Sequence, residues 1–188
     1  MSTQRDNAAI SASSLVAIWH GDQAAVGPWS LDLSSSHVSF QVKHFWGAIT
    51  VRGTFHKFTG AGTLGSDGAV TGQLRVDAAS LDTKNKGRDQ HLRSADFFNV
   101  AAHPEMVVTI TAAQPEGPAT ISCQGTLEAA GHTEPITFTA HLEGADPKAV
   151  TLRAELMVDR THLGMTWSPL GMASKLVRAS AGARFVRS

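Results

Sequence analysis

Residues 88–94 hold the most chemically versatile group of side chains in the chain. They place two cations, a carboxylate and an imidazole within seven residues, shortly before a pair of phenylalanines. A guanidinium binds a phosphate or carboxylate through two parallel hydrogen bonds, and aromatic rings can pack on an apolar chain. The segment therefore suits a site that buries an amphiphile's tail and leaves its head group wet. In the structural alternative, Asp89 and Arg93 hold a helix against neighbouring strands. Arg88 and His91 fit either role.

Motifs for nucleophilic catalysis are missing from the sequence. It has no Gly-x-Ser-x-Gly pentapeptide, which places a serine nucleophile on a sharp turn. The single cysteine, Cys123, falls in an alternating segment at an inward position, which is typical of a small buried apolar residue. We therefore assign no catalytic residue. An enzyme acting on a lipid, with His91, Asp89 or His44 as acid or base, is the alternative.

Nine histidines raise the question of a metal site. None belongs to an H-x-H pair or an H-E-x-x-H helix, and one cysteine excludes a multi-cysteine cluster or an internal disulfide. Scattered surface histidines are the simple interpretation, so no metal site is assigned. A site assembled by folding from His44, His56 and His91 stays open. No glycine-rich phosphate loop occurs between a strand and a helix, and no cofactor is expected.

Composition narrows the class of protein. The chain has 188 residues, 42% of them hydrophobic, which is enough for one domain with its own core. Lys+Arg and Asp+Glu both number 16, so the broad positive charge that drives non-specific nucleic-acid binding is absent. No run of apolar residues is long enough for a transmembrane helix.

A period of two dominates the chain after residue 28. Alternation of apolar and polar residues predicts strands with one buried face, and short turn signals between them predict an antiparallel meander. The predicted strands cover residues 29–33, 37–43, 49–55, 70–76, 106–111, 121–127, 136–142, 152–158 and 177–185. Because closure removes exposed strand edges, these segments favour an all-β antiparallel barrel of about eight strands.

Residues 82–98 interrupt this period. Asp82 or Thr83 is a suitable cap for a short helix that runs toward Arg93, and Ser94 could cap a second turn. A helix inserted into a meander usually closes one end of a barrel, so we expect this one to do so.

The inward face of the predicted barrel combines small and large residues. Small ones leave space unless phenylalanines opposite fill it, so a ligand cavity and a filled core are both open. The small inward positions are Gly53, Gly72, Gly125, Ala140, Ala154, Ala179, Ala181 and Ala183. The predicted wall is Phe40, Val42, Phe55, Leu74, Val76, Val108, Ile110, Leu127, Phe138 and Leu156, with Phe45, Leu92, Phe97 and Phe98 at the helical end.

The first 28 residues differ from the rest. They are rich in Ala and Ser, end at a Gly-Pro pair, and are interpreted as a flexible leader before a barrel domain at 29–188. Residues 15–19 could form one helical turn or pack on the barrel. The leader lacks an uninterrupted apolar core of the kind found in secretory signals, so we expect a cytoplasmic location.

Five motifs, in order along the chain, resemble those of the YceI-like family, the bacterial polyisoprenoid-binding proteins. The most specific is residues 80–98 (SLDTKNKGRDQHLRSADFF), followed by the His103-Pro104 pair. The others are residues 29–44 (WSLDLSSSHVSFQVKH), 53–60 (GTFHKFTG), 125–136 (GTLEAAGHTEPI) and 159–165 (DRTHLGM).

The resemblance implies a lipocalin-like barrel with a long apolar tunnel and a bound amphiphile, such as a polyprenyl chain, a quinone or a fatty-acid derivative. We therefore expect a non-catalytic protein that sequesters or carries such a ligand, with Arg88 and His91 nearest its head group. A ligand-free structural or stress-response module is a further alternative. A strand edge or the leader could support a homodimer.

Overall fold

The computed structural model describes residues 25–188 with the exception of Pro147. The alternating segments form eleven antiparallel strand segments, interrupted by one α-helix and four short 3-10 turns. The strand segments are β1 Gly27–Leu31, β2 His37–His44, β3 Ile49–Phe55, β4 Phe58–Leu64, β5 Val70–Asp77, β6 Leu81–Asp82, β7 Glu105–Pro115, β8 Thr120–Ala129, β9 His132–Asp146, β10 Ala149–Asp159 and β11 Ala173–Arg187. Helix α1 covers Lys86–Arg93, and the 3-10 turns cover Leu33–Ser35, Phe45–Gly47, Ala78–Ser80 and Pro169–Gly171.

The segments close into a barrel of eight strands, as expected. The count is eight rather than eleven because three of the barrel strands are each divided into two segments. Strand β11 pairs with β2 along its first part and with β1 along its last residues, so β1 and β2 form one interrupted strand. In the same way β3 and β4 together face β2 and β1, and β5 and β6 face β4 and β3. The sheet order then returns from β11 to β1.

Aspartates make two of these interruptions. The Asp32 carboxylate accepts a hydrogen bond from the Ser34 backbone N–H at 3.1 Å, and Asp77 accepts one from Ala79 at 2.8 Å. Such local bonds satisfy the backbone in a turn and compete with the strand ladder. In each of these two interruptions, the aspartate accepts from the backbone N–H two residues later, so the local sequence is sufficient to form the turn.

Strand β4 is absent from the sequence-based prediction, although it runs beside β1 and β5. Its inward positions include Gly60 and Gly62. Because glycine is a poor strand former and has no apolar side chain, this segment lacks the apolar and polar alternation that predicts a strand. The close approach of strand β5 explains why glycine is present at one of these positions. A side chain at Gly62 would lie 3.0 Å from the Thr71 carbonyl oxygen of β5.

Helix α1 begins later than predicted. Its N-cap is Asn85, whose side chain accepts from the Arg88 N–H at 3.0 Å, whereas Asp82 accepts from the Lys84 N–H before the helix starts. Thr83 is also outside the helix, so the predicted caps at Asp82 and Thr83 were wrong. After the helix, the Phe97 N–H donates to the Ser94 carbonyl at 3.1 Å and the Asp96 N–H donates to the Ser94 hydroxyl, which agrees with the predicted second turn capped by Ser94.

The two ends of the barrel differ. At the helical end lie α1 and the turns Phe45–Gly47 and Pro169–Gly171. At the far end, Ala25, Trp29 and Leu64 form a buried cluster, and the Trp29 indole donates to the Ala25 carbonyl at 3.0 Å. Strand β1 thus starts at Gly27, slightly before the predicted barrel boundary, and residues 15–19 lie outside the described residues. Within those residues, no helix has the length and apolar character needed to span a membrane.

Candidate ligand-binding cavity

A cavity of about 740 Å³ occupies the helical half of the barrel. Alternate residues of the strands project into it, and α1 with the following turn covers one side. The predicted residues on its wall are Phe40, Val42, Phe45, Phe55, Leu74, Val76, Arg88, His91, Leu92, Phe97, Phe98, Val108, Leu127, Phe138 and Leu156. The strand parity read from the sequence therefore agrees with the wall, and the cavity lies within the size range of small-molecule sites.

A second cavity of about 220 Å³ lies toward the far end. Ile110, the remaining predicted wall residue, lines this one instead of the first. The two cavities share Leu74 and Val108, so they adjoin along the barrel axis. The far-end cluster borders the second cavity, because Trp29 and other cluster residues also line it.

Only some of the small inward residues create this space. Ala154, Ala179 and Ala181 line the larger cavity, and Gly72 and Ala140 line the smaller one. The other three predicted positions, Gly53, Gly125 and Ala183, line neither cavity.

Two of those glycines are packed against neighbouring atoms. The Phe40 ring covers Gly53, where a Cβ would lie 2.4 Å from the ring, and the Thr109 carbonyl oxygen would lie 1.9 Å from a Cβ at Gly125. Filled core and open cavity thus coexist in one barrel.

The polar side chains on the wall of the larger cavity are two arginines, two histidines and two serines. No carboxylate lines either cavity among the described residues. The group consists of Ser39, His44, Arg88, His91, Arg160 and Ser180. A ligand group that meets the cations and N–H donors there must supply acceptor atoms or negative charge.

Thr83 anchors the Arg88 guanidinium through two hydrogen bonds. Its Nε donates to the Thr83 hydroxyl and one terminal nitrogen donates to the Thr83 carbonyl, both at 2.8 Å. These bonds fix the guanidinium plane while the residue contributes to the cavity wall. Arg88 therefore has the structural role, and its position on the wall places it beside any molecule in the cavity.

His44 lies on the wall near both arginines. Burial lowers the pKa of its imidazole below the ordinary value of 6.5, and the positive charges of Arg160 and Arg88 lower it further. The neutral form is therefore favoured at neutral pH, and one ring nitrogen can donate while the other accepts. His44 was considered in the sequence only as a catalytic or metal-binding candidate.

His91 sits against aromatic rings at the cavity mouth. Its ring meets Trp167 edge-to-face at a centroid distance of 4.4 Å and Phe97 at 5.1 Å. Its Nε2 lies 2.9 Å from an Asp96 oxygen. Asp96 thus orients the imidazole, which lines the cavity.

The histidines proposed as a folded metal site do not form one. His56 is exposed and lies 3.4 Å from Asp82, away from the cavity wall that holds His44. In the described part of the chain, no group of three or more His, Cys, Asp or Glu side chains could hold a metal ion.

Cys123 lines the smaller cavity. Burial raises the pKa of its thiol to about 11, so it stays protonated at neutral pH and is a poor nucleophile. This agrees with the prediction of a small buried apolar residue.

Comparison with known proteins decides the family. The family model described as the YceI-like domain matches residues 29–184. This chain belongs to the YceI-like family. Protein YceI of Salmonella arizonae is 32% identical over 163 residues, which are 82% of this chain and 84% of that protein. A UPF0312 protein of Azotobacter vinelandii is 33% identical over 131 residues, 66% of this chain and 68% of that protein.

Solved structures share the YceI-like barrel. BcnA of Burkholderia cenocepacia has a TM-score of 0.75 at 20% identity, over 82% of this chain and 98% of that one. A polyisoprenoid binding domain from Saccharophagus degradans has a TM-score of 0.69 at 14% identity, over 85% of this chain and 98% of that one. At these identities the likeness concerns the fold.

The most specific YceI-like motif builds the helical end. Asp89 is buried and accepts from the Thr83 N–H at 2.9 Å and the Thr83 hydroxyl at 2.5 Å. Arg93 donates to the carbonyls of Ala79 at 2.9 Å and Leu81 at 2.5 Å. Both side chains therefore tie α1 to the β5–β6 region, which is the structural role expected for them.

The late YceI-like motif supplies Arg160, which the sequence did not single out as a site residue. Arg160 is only 5% exposed, and its guanidinium donates to the carbonyls of Ser174, Met165 and Ala173. Burial lowers the pKa of this guanidinium below its ordinary value. The resemblance of residues 159–165 to the family motif was the available signal, but the position of the side chain on the cavity wall was not readable from it.

Proposed function

We propose that this chain is a non-catalytic carrier that binds one long-chain amphiphile in its barrel. The tail would lie in the two adjoining cavities and the head group among Arg88, His91, His44 and Arg160. The observation that carries this proposal is the 740 Å³ cavity, which has an apolar wall and whose polar side chains include two arginines and, among the described residues, no carboxylate. The polyisoprenoid binding domain from Saccharophagus degradans, which shares the fold, supports a polyprenyl tail.

The length of the barrel supports a long tail. Strands β9 and β11 have 15 residues each. At a rise of about 3.3 Å per residue and a tilt of about 40°, such strands make a barrel roughly 40 Å tall. Each buried CH₂ contributes about 0.8 kcal/mol, so affinity should rise with tail length until both cavities are filled.

The polar side chains on the wall of the larger cavity favour a ligand head group that is rich in hydrogen-bond acceptors. A phosphate, carboxylate or quinone oxygen could accept hydrogen bonds from Arg88 and from the histidines. Because apolar contacts provide most of the binding free energy, different heads on the same tail should still bind. We therefore propose a selectivity that follows tail length first and head charge second.

Mass spectrometry of freshly purified protein tests this function. We expect native spectra to show one bound mass per chain, and organic extraction to release a polyprenyl or other long-chain lipid. Protein stripped of lipid should then bind solanesol more tightly than farnesol. A stripped protein that binds neither would contradict the proposal and favour a ligand-free module. Hydrolysis of a bound lipid ester or amide would contradict the non-catalytic role.

A further inference from the structure

Two large apolar side chains project into solvent at the helical end. Trp46 is 85% exposed and Leu170 is 90% exposed. Each stands at positive φ in its turn, with φ of 54° for Trp46 and 52° for Leu170, a conformation that bulky L-residues rarely adopt. Their exposure is therefore a property of two specific backbone turns.

The two turns lie next to each other at the cavity mouth. The Phe45 N–H donates to the Met172 carbonyl at 2.9 Å, which joins the Phe45–Gly47 turn to the residue after the Pro169–Gly171 turn. Phe45, Pro169 and Met172 also line the larger cavity, whereas Trp46 and Leu170 do not. We call the exposed apolar side chains here the rim: Phe45, Trp46, Ile49, Trp167 and Leu170.

Positive charge surrounds the rim. Three segments beside the rim, residues 43–49, 84–88 and 165–176, contain five Lys or Arg and no Asp or Glu, although the whole chain has no net charge. Lys43 and Lys86 are exposed and form no ion pair with any residue that the structure describes, whereas the charge of Lys175 acts on the Asp159 carboxylate.

Four aspartates at this end already have partners. The Asp82 carboxylate lies 2.6 Å from the Lys84 ammonium, and Asp96 faces His91. Asp159 accepts from the Thr161 N–H and hydroxyl at 2.9 and 2.6 Å. Asp89 is buried under Thr83. Among the described residues, Lys43 and Lys86 are thus the lysines beside the rim whose charge can meet a partner.

We propose that the rim docks on the surface of a lipid bilayer that contains anionic lipid, with the cavity mouth facing the membrane. Tryptophan and other amphipathic rings favour the headgroup level of a bilayer, and exposed lysines near the surface are attracted to anionic lipids. The charge around the mouth complements such a surface. Under the proposed function, on which this last step rests, the tail of a membrane lipid would enter the cavity without crossing water.

Vesicle cosedimentation with the full chain tests the docking. We expect binding to phosphatidylcholine vesicles that contain phosphatidylglycerol, and weaker binding at high salt or without the anionic lipid. The double variant Trp46→Ser, Leu170→Ser should bind roughly tenfold more weakly, because two apolar side chains no longer enter the interface. Lys43→Glu with Lys86→Glu should remove the preference for the anionic lipid.

Leu33→Ser provides the matched control. Leu33 is also an exposed large apolar residue, but it lies in the turn between β1 and β2. We expect Leu33→Ser to leave vesicle binding unchanged, and thermal melting should show that all variants are folded. Equal vesicle binding by the wild type and the Trp46, Leu170 variant would overturn the docking proposal, as would a wild type that binds no vesicles.

Two further measurements separate this proposal from the alternatives. If sedimentation velocity shows a dimer that the Trp46, Leu170 variant abolishes, while vesicles are not bound, the rim is an interface between two copies and the docking proposal fails. Binding of farnesyl phosphate in vesicle-free solution tests the cavity alone. Loss of docking with intact farnesyl phosphate binding overturns only the docking. Docking without any binding of farnesyl phosphate or solanesol overturns only the proposed function.

Discussion

At the scale of single residues, cations in this barrel differ in what holds them. Arg93 donates to two backbone carbonyls outside the cavity wall, and Arg160 donates to three carbonyls while it lines the cavity. Arg88 is anchored on Thr83 and also reaches the wall. The same residue type therefore holds the backbone in one place and lines the cavity in another, and substitution can test the two positions separately.

Arg93→Ala and Arg88→Ala should have different effects. Arg93→Ala leaves two carbonyls without their charged donor, so we expect a loss of about 1–3 kcal/mol in the free energy of unfolding and unchanged affinity in the folded protein. Arg88→Ala should weaken binding of farnesyl phosphate by about tenfold and leave binding of farnesol nearly unchanged. Urea unfolding and ligand titration measure these quantities. Equal weakening for both ligands would contradict a head-group role for Arg88.

His44 should make stability depend on pH. Its folded-state pKa is lowered, so the unfolded chain binds the proton more readily. The contribution to stability is complete above the ordinary pKa of 6.5 and is lost as pH falls below it.

We expect His44→Gln to remove part of the fall in unfolding free energy that the wild type shows between about pH 7.5 and about pH 5. Urea titrations at several pH values measure this difference. His141→Gln is the control, because His141 is exposed on β9. Identical pH profiles for the wild type and His44→Gln would refute the assignment.

At the scale of elements, the pairing of β7 with β8 shows how one strand determines what its neighbour can carry. The register shifts between Ile110 and Ala112, so β7 bulges opposite β8. The bulge brings the Thr109 carbonyl oxygen to the place that a Cβ of Gly125 would occupy. A glycine is needed there because of this close approach of two backbones.

Gly125→Ala should therefore destabilise the barrel. The methyl group would lie 1.9 Å from the Thr109 oxygen, and the backbone must move to admit it. We expect a loss of about 1–3 kcal/mol or more, measured by urea unfolding. Gly144→Ala in β9 is the matched control, since its nearest neighbours are 3.9 Å from a Cβ. Equal stability of the two variants would show that β7 and β8 separate easily at the bulge.

At the scale of the whole molecule, two adjoining cavities predict a dependence on tail length. Ala140 is buried and lines the smaller cavity at the far end, so Ala140→Phe should fill that cavity and leave the larger one open. We expect solanesol to lose more affinity than farnesol, with an overpacking cost of about 1–3 kcal/mol in stability.

Thr139→Phe is the control for this prediction, because Thr139 is the exposed neighbour on the same strand. It should change neither affinity. Competition with a fluorescent lipid measures both alcohols on the same protein sample. An equal loss for short and long tails would indicate general unfolding rather than a filled cavity, and would contradict the extension of the tail into the smaller cavity.

The alternation of residues by itself determined the fold class and the wall of the barrel. Phe40, Leu74 and Phe138 were assigned inward because strand side chains alternate between two faces, and this local rule holds wherever one face is buried. The same rule missed β4, because Gly60 and Gly62 carry no side chain whose polarity could alternate.

Only the tertiary structure decided which inward residues border a cavity and which cations lie together on the cavity wall. Gly53 and Ala140 are both small residues at inward positions in the sequence. In the structure the Phe40 ring covers Gly53, whereas Ala140 lines the smaller cavity. Arg160 and His44 are far apart in the chain, yet both line the larger cavity. Packing volume and electrostatic fields depend on distances between segments remote in sequence, and chain closure sets those distances. The local pattern contains no information about them.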